Sequence, residues 1–424
     1  SWMGLKKKSS WILISGLMIT FPIMPCLFFY HFTAPYYMTG LLLIFLGGAI
    51  LCRNRNIQAF VGGVVLVCLG LSIYQAFVSL FLSLLLIFFF REVTEQNEWT
   101  ASKLLREILW FCGSCVAIAL VYLLSVKISN FLNHTKLLDY KGISSMGSAS
   151  ISDYVGRIKL ALYLYLFPNK SDRYAFLFPY RLADCYFLVI VCSALLISRT
   201  ALRLRKTPLK MVTILLVLAF FPFASNFIYI ACDASDIYTL VLFGQLAPFL
   251  LLVCLADWLL PSALYRSDWK KLIETVPVLL LSVFCLYSVR VDNAVYTEAQ
   301  FAQTRSQAYF NGIVTQVKST PGYTANSHVA FVGNPVSATN AVFRRIDGFA
   351  QISIFPLTYS DNPFCVSYHG WQEYISLWCG FNLIYEDGAK YAELPEVQAM
   401  PDYPDNGSIK MINDVVVVKL NDEN

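Results

Sequence analysis

The sequence predicts an all-α polytopic transmembrane bundle of about nine spans over residues 1–290, with a small C-terminal α/β extracytoplasmic domain over residues 291–424. Three observations carry this. Hydrophobic residues make up 57% of the 424 and charged ones only 14%, whereas soluble domains sit near half apolar and a quarter charged. Apolar runs long enough to cross a bilayer recur, with Lys and Arg gathered in alternate short connections. After Arg290 no apolar run is long enough to span.

The first run, Ser10 to Tyr30, follows Lys6, Lys7 and Lys8 and has no small-residue cleavage site, so it reads as a span rather than a signal peptide. The chain enters it directly from Ser1, as a chain lacking an N-terminal part with an even number of spans would. Tyr36 to Cys52 returns to Arg53-Asn54-Arg55-Asn56, which places both ends of this pair on the cytoplasmic side.

Ile57 to Phe90 is a single apolar stretch interrupted around Ser72-Ile73-Tyr74-Gln75. It is too long for one span and suits two short helices, a hairpin with Tyr74-Gln75 at its tip. An amide at that depth needs a partner, so the tip is either a polar turn satisfied by protein or a ligand-facing site.

Arg91 to Arg106 reads as a cytoplasmic amphipathic connection with Trp99 at the interface. Leu109 to Ile128 crosses outward, and residues 129–181 form an outer loop. Within it a Gly/Ser-rich piece, Gly142 to Ser150, precedes a helix capped by Ser152. That helix carries Val155, Ile158, Leu162 and Leu166 on one face and Arg157 and Lys159 off it, so it is expected in the outer interface, roofing the bundle.

Leu182 to Ile197 returns to the strongest basic cluster, Arg199, Arg203, Arg205, Lys206 and Lys210. Met211 to Ile230 goes out, Tyr238 to Leu260 comes in, and Leu272 to Val289 goes out again. Beyond it the sequence predicts a helix over Ala294 to Lys318, a strand over His328 to Gly333, and a helix after Asp387-Gly388 that ends before Pro395. A strand over Met411 to Leu420, with a turn candidate inside, closes the domain.

Much chemistry is excluded. Most of the twelve cysteines fall in spans, among them Cys68, Cys112, Cys115, Cys192, Cys254 and Cys285, where Cys behaves as a small apolar residue. Cys365 and Cys379 are the only pair in the outer domain, and a disulfide or two free thiols are both open. The four histidines are scattered, and no HExxH, P-loop or GxSxG occurs, which disfavours a zinc peptidase, an ATPase or an esterase. No metal-ligand spacing stands out, and no basic patch interleaved with aromatics suggests a nucleic-acid partner.

The spans are nearly free of ionisable residues, Asp257 being the main exception, which counts against an ion-coupled transporter. Polar residues concentrate at the outer end: Tyr74 and Gln75, His134 and Asp139, Asp153 and Arg157, Lys170, Asp172, Arg173 and Arg181, and Asp233 and Asp236. Arg173 and Arg181 flank the aromatic stretch YAFLFPY and run against the topological charge bias. A lipid-linked phosphate would explain them, since guanidinium binds phosphate bidentately; so would solvation in a long loop.

This arrangement resembles a bacterial family of O-antigen-type glucosyltransferases with the type C glycosyltransferase architecture. The matching features are the GLSIYQAFVSLFLSLLLIF hairpin, the spans separated by basic loops, and a C-terminal domain closing with MPDYPDNGSIKMINDVVVVKL. The resemblance implies transfer of a sugar, glucose foremost, from a polyprenyl-phosphate donor to a cell-surface polysaccharide at the outer face of the inner membrane. Membrane lipid, the lipid-linked donor and the polysaccharide acceptor are then the partners. No further cofactor is implied, and metal assistance is open.

Such enzymes are similar in placing an acidic catalytic base in the first outer loop. No such loop precedes Ser10, so the base is expected upstream of residue 1, with Asp139, Asp153 and Asp172 as weaker candidates. Tyr74, Gln75, Arg173 and Arg181 are the expected substrate-binding residues. A polysaccharide polymerase or ligase, and a lipid-linked saccharide flippase or transporter, are the alternatives.

Overall fold

The computed structural model describes residues 3–30, 32–135, 149–170, 177–179, 181–234, 237–260, 268–333 and 371–421, with side chains described at all of these except 268–274 and 371. The chain divides into two compact units, Ser1–Asp292 and Asn293–Asn424.

The first unit is helical: α1 Lys8–Thr20, α2 Met24–Phe28, α3 Ala34–Arg53, α4 Ile57–Ile73, α5 Phe77–Glu95, α6 Ala101–Leu132, α7 Ile151–Leu166, α8 Arg181–Arg203, α9 Pro208–Ser225, α10 Phe227–Ala231 and α11 Ala247–Leu259. A further helix, α12 Asp268–Ser319, runs on past the division. Among the described residues six helices are long and apolar enough to cross a membrane: α3, α5, α6, α8, α9 and the Thr275–Ser319 part of α12. Two shorter apolar helices accompany them, Ile57–Ile73 and Phe243–Leu259. The protein is therefore membrane-embedded.

The difference from about nine expected spans has local causes. Ser10 to Tyr30 is not one helix: α1 stops at Thr20, Phe21 turns extended (φ −63°, ψ 133°), and α2 restarts at Met24. Pro22 and Pro25 lack the N–H groups an unbroken ladder requires. Tyr238 to Leu260 is likewise not continuous, since two 3₁₀ turns, Thr239–Val241 and Phe243–Leu246, precede α11. The connection expected over Arg91 to Arg106 consists mostly of the ends of α5 and α6, and Trp99 is buried beside Phe89 rather than standing at an open interface. Finally, the helices expected on either side of Arg290 are one helix, because Val291 to Ala294 contains no breaker.

The break at Tyr74-Gln75-Ala76 separates α4 from α5 as the apolar pattern predicts. The tight packing of α4, however, is against α3, through glycines seven residues apart on each helix. A Cβ at Gly63 would lie 2.4 Å from Leu51 Cγ, and one at Gly70 would lie 2.9 Å from the Gly40 carbonyl oxygen. In lipid, where apolar burial gives little drive, such backbone approach supplies the dispersion contact that holds helices together. Phe21, Phe178, Phe249 and Phe284 form an aromatic centre, with Phe249 and Phe284 centroids 4.1 Å apart.

The second unit holds a four-stranded sheet in the order β2-β1-β4-β3, with β1 His328–Val332, β2 Ile384–Glu386, β3 Ile409–Ile412 and β4 Val415–Lys419. β1 runs parallel to β2 and β4, and β3 and β4 form an antiparallel hairpin. Asn413 and Asp414, both at positive φ, make the turn inside the expected Met411 to Leu420 strand. Alternate residues feed two cores. Val329, Phe331, Val416 and Val418 pack against Phe310, Ile313 and Val317 of α12 and Ile375 of α13 (Trp371–Cys379), while Ala330, Val332 and Val417 pack against Tyr391, Val397 and Met400. Tyr391 lies on the short helix Ala389–Ala392, and Val397 on Pro395–Gln398. Cys365 lies outside the described residues.

Candidate active site

Within the first unit the two ends of the bundle treat polar groups differently. At one end buried charges close helix termini. The Asp257 carboxylate, at the C-terminal end of α11, accepts the Lys6 and Lys7 backbone N–H groups at 2.8 and 2.9 Å and the Ser10 hydroxyl at 2.7 Å. Lys7 Nζ in turn donates to the Ala256 and Leu260 carbonyls. A carboxylate at a helix start and an ammonium at a helix end both follow the helix dipole. The one acidic residue that stood out within the spans is thus a cap. On α6, buried Glu107 pairs with Arg55 at 2.7 Å, and Arg55 also donates to the Leu51 and Cys52 carbonyls at the end of α3. Lys210 is buried and donates to the Gln96 carbonyl.

The opposite end is assembled from helix breaks. The Tyr74 ring meets Tyr37 at 4.8 Å, Phe77 at 5.3 Å and Phe243 at 6.2 Å, and its hydroxyl lies near those of Tyr238, Tyr37 and Tyr30. Gln75 Nε2 donates to the Tyr122 hydroxyl on α6, so its amide is satisfied by protein. One turn further along, Gly244 passes so close to α9 that a Cβ there would lie 1.9 Å from the Ser225 carbonyl oxygen. Ser225 Oγ donates to the Gly244 carbonyl at 2.8 Å, and the Ile228 N–H donates to Ser79 Oγ at 3.1 Å. Asn226, between α9 and α10, donates to the Ala161 carbonyl of α7 at 2.9 Å and accepts from Gln245. This buried polar knot ties the broken helices to α7.

On α7 the capping residue is Ser150, not Ser152, because Ser150 forms a reciprocal capping box with Asp153. These hydrogen bonds hold the Asp153 carboxyl below the usual range. The apolar stripe turns outward: Val155 is 47% exposed and Leu166 37%, while Ala161, Leu164 and Tyr165 are buried. In a membrane the most apolar face can meet lipid and leave small and polar residues for the protein side. Arg157 is shielded, donates to the Ala231 carbonyl at 3.4 Å, and lies 3.6 Å from the Asp233 carboxylate. The expected outer-end residues Arg157 and Asp233 are thereby brought together.

Arg181 opens α8 and pairs with Asp184 at 3.2 Å, both well exposed. Phe178, just before it, lines a void of about 10 Å³ with Leu164, Tyr229, Leu242 and Gln245, which joins this helix start to the polar knot. Asp139, Asp172 and Arg173 lie outside the described residues. Among the described residues no three His, Cys, Asp or Glu side chains are grouped to hold a metal.

One residue here was passed over in the sequence. Asp292 on α12 is largely buried near Cys26 of α2, and its Oδ1 accepts no hydrogen bond among the described residues. α2 itself packs on the 3₁₀ turn Thr239–Val241, beside Tyr238. The available signal was a carboxylate two residues beyond VR at the end of the last apolar run, which reads naturally as the start of a soluble segment.

The fold is that of a polytopic helical membrane protein with charges bound to helix ends at one end and carboxylates, tyrosines and a shielded arginine at the other. The profile of the glucosyl transferase GtrII family matches residues 2–249, and the chain belongs to that family. It is a glycosyltransferase. No curated protein and no solved structure matches the chain. The family match ends in α11, so α12 and the whole second unit lie beyond it.

Proposed function

We propose that this protein moves a glucosyl residue from a polyprenyl-phosphate donor to a cell-surface polysaccharide, at the outer face of the bacterial inner membrane. The match to the glucosyl transferase GtrII family over residues 2–249 is the observation that carries the reading. The positive-inside pattern of the loops supports the orientation, with α7 and the second unit outside the cytoplasm.

In this reading a carboxylate takes the proton of the acceptor hydroxyl while that oxygen attacks the anomeric carbon. The bond from that carbon to the phosphate oxygen breaks, and polyprenyl phosphate leaves with the bond's electron pair. The described carboxylates at this end differ in fitness for the first step. Asp153 is committed to its capping box and its lowered pKa makes it a weak base. Asp233, beside Arg157, and Asp292, with an oxygen that accepts no hydrogen bond among the described residues, are better placed by their surroundings. Asp139 and Asp172 are further candidates from the sequence. Arg157 and Arg181, with Arg173, supply positive charge for the leaving phosphate, and Tyr74 and Tyr238 supply aromatic and hydroxyl surface for the sugar or lipid path.

Glycan composition of the host's surface polysaccharide, with and without the intact gene, tests this. Loss of one side-chain glucose from chains of unchanged length is the expected result. Shortened chains of unchanged composition would overturn it in favour of a polymerase or flippase.

A further inference from the structure

The strongest basic cluster of the sequence has divided itself in the fold. Lys210 is drawn inward to the Gln96 carbonyl, while Arg199, Arg203, Arg205 and Lys206 make no ion pair among the described residues. These four line a surface groove of about 620 Å³ together with Leu195 and Leu202. Leu195, Arg199, Leu202 and Arg203 fall at helical spacing on the last turns of α8, and the two leucines are 65% and 69% exposed. Leucines and arginines therefore alternate along one face at the end of a membrane-crossing helix, Leu195 lying one turn before Arg199 and Leu202 next to Arg203.

This groove is separate from the candidate active site. Arg181 and Arg203 are the two ends of the same 23-residue helix, about 33 Å apart at 1.5 Å per residue.

We propose that the groove binds an anionic phospholipid, its phosphate held by Arg199, Arg203, Arg205 and Lys206 and the start of its acyl chain lying on Leu195 and Leu202. Charge alone in this loop would satisfy the positive-inside rule anywhere on the surface. What the rule does not require is that four cations share one open surface depression with two exposed leucines. The C-terminal dipole of α8 opposes an anion by the equivalent of about half a charge, and four cations outweigh it. A phosphodiester with an attached acyl chain matches both halves of the groove; a soluble phosphate matches only one.

Native mass spectrometry of the full-length protein in detergent, titrated with phosphatidylglycerol or phosphatidylcholine, tests the proposal. The expected result is selective retention of phosphatidylglycerol, weakened about fivefold for each basic residue changed to Gln. Leu195→Ser with Leu202→Ser should weaken it as well. Where a quadruple Gln variant fails to fold, the exposed single changes Arg203→Gln and Lys206→Gln carry the measurement. Equal retention of both lipids, full retention in the Gln variants, or displacement of the lipid by millimolar inorganic phosphate would each overturn the assignment.

Discussion

The two ends of the first unit use ionisable residues in opposite ways. At the end formed by the start of α1 and the ends of α3, α5 and α11, buried charges bind backbone or one another: Asp257 on the approach to α1, Lys7 on the end of α11, Arg55 on the end of α3 and on Glu107, Lys210 on Gln96. At the end formed by α7, α10 and the 3₁₀ turns, Arg157 and Asp233 are 3.6 Å apart, one Asp292 oxygen accepts no hydrogen bond among the described residues, and the Tyr74 hydroxyl lies near those of Tyr238, Tyr37 and Tyr30. The difference teaches where to look for chemistry. Saturated charges hold a fold, whereas incompletely satisfied ones can still act on a substrate.

Substitutions that separate holding from acting sharpen this contrast. The largest effect is expected from Asp233→Asn or Asp292→Asn, whichever is the base: transfer from a lipid-linked glucose donor should fall about 10²–10⁴-fold with the melting temperature in detergent little changed. If neither variant slows transfer, the base lies elsewhere than at these two carboxylates, and the contrast between the ends loses its functional meaning.

At the other end the effect should be on stability. Glu107→Leu strands the partly buried Arg55 guanidinium and should cost about 3–5 kcal/mol, read as a lowered unfolding midpoint. Adding Arg55→Leu should recover part of that loss, since the pair is then removed whole. Recovery of none of it would mean that Arg55 works mainly through the Leu51 and Cys52 carbonyls.

Asp257→Ala leaves the Lys6 and Lys7 N–H groups and the Ser10 hydroxyl without their acceptor, a loss of about 1–3 kcal/mol. Detergent-extracted protein should unfold earlier while retaining its transfer rate below the midpoint. An Asp257→Ala protein of full stability but no transfer would place chemistry at the wrong end.

Smallest of all should be Tyr122→Phe, which removes the acceptor for Gln75 and should cost about 0.5–1.5 kcal/mol. A fall in transfer greater than that loss explains would mark the Tyr74-Gln75 turn as part of the substrate path.

Much of the fold was legible because hydropathy and helix breakers act locally. The break at Tyr74-Gln75 and the strands around His328 and Val415 follow from runs of apolar residues and the turn residues between them. Other features needed contacts between residues far apart in sequence. The role of Asp257 rests on Lys6 and Lys7, some 250 positions away. The apolar stripe of α7 could be read from spacing, yet its direction could not, since a periodic face does not say whether lipid or protein covers it.

By itself, then, the sequence determined that this is a helical membrane protein, roughly where its helices break, and through its resemblance the class of enzyme to expect. The tertiary structure decided that α4 packs on α3 through facing glycines, that Asp257, Arg55 and Lys210 bind helix ends, and that Arg157 and Asp233 meet beside α7. The physical reason is that hydropathy is a property of each segment, whereas the satisfaction of a buried charge is a property of the pair, and pairs are made only when the chain folds.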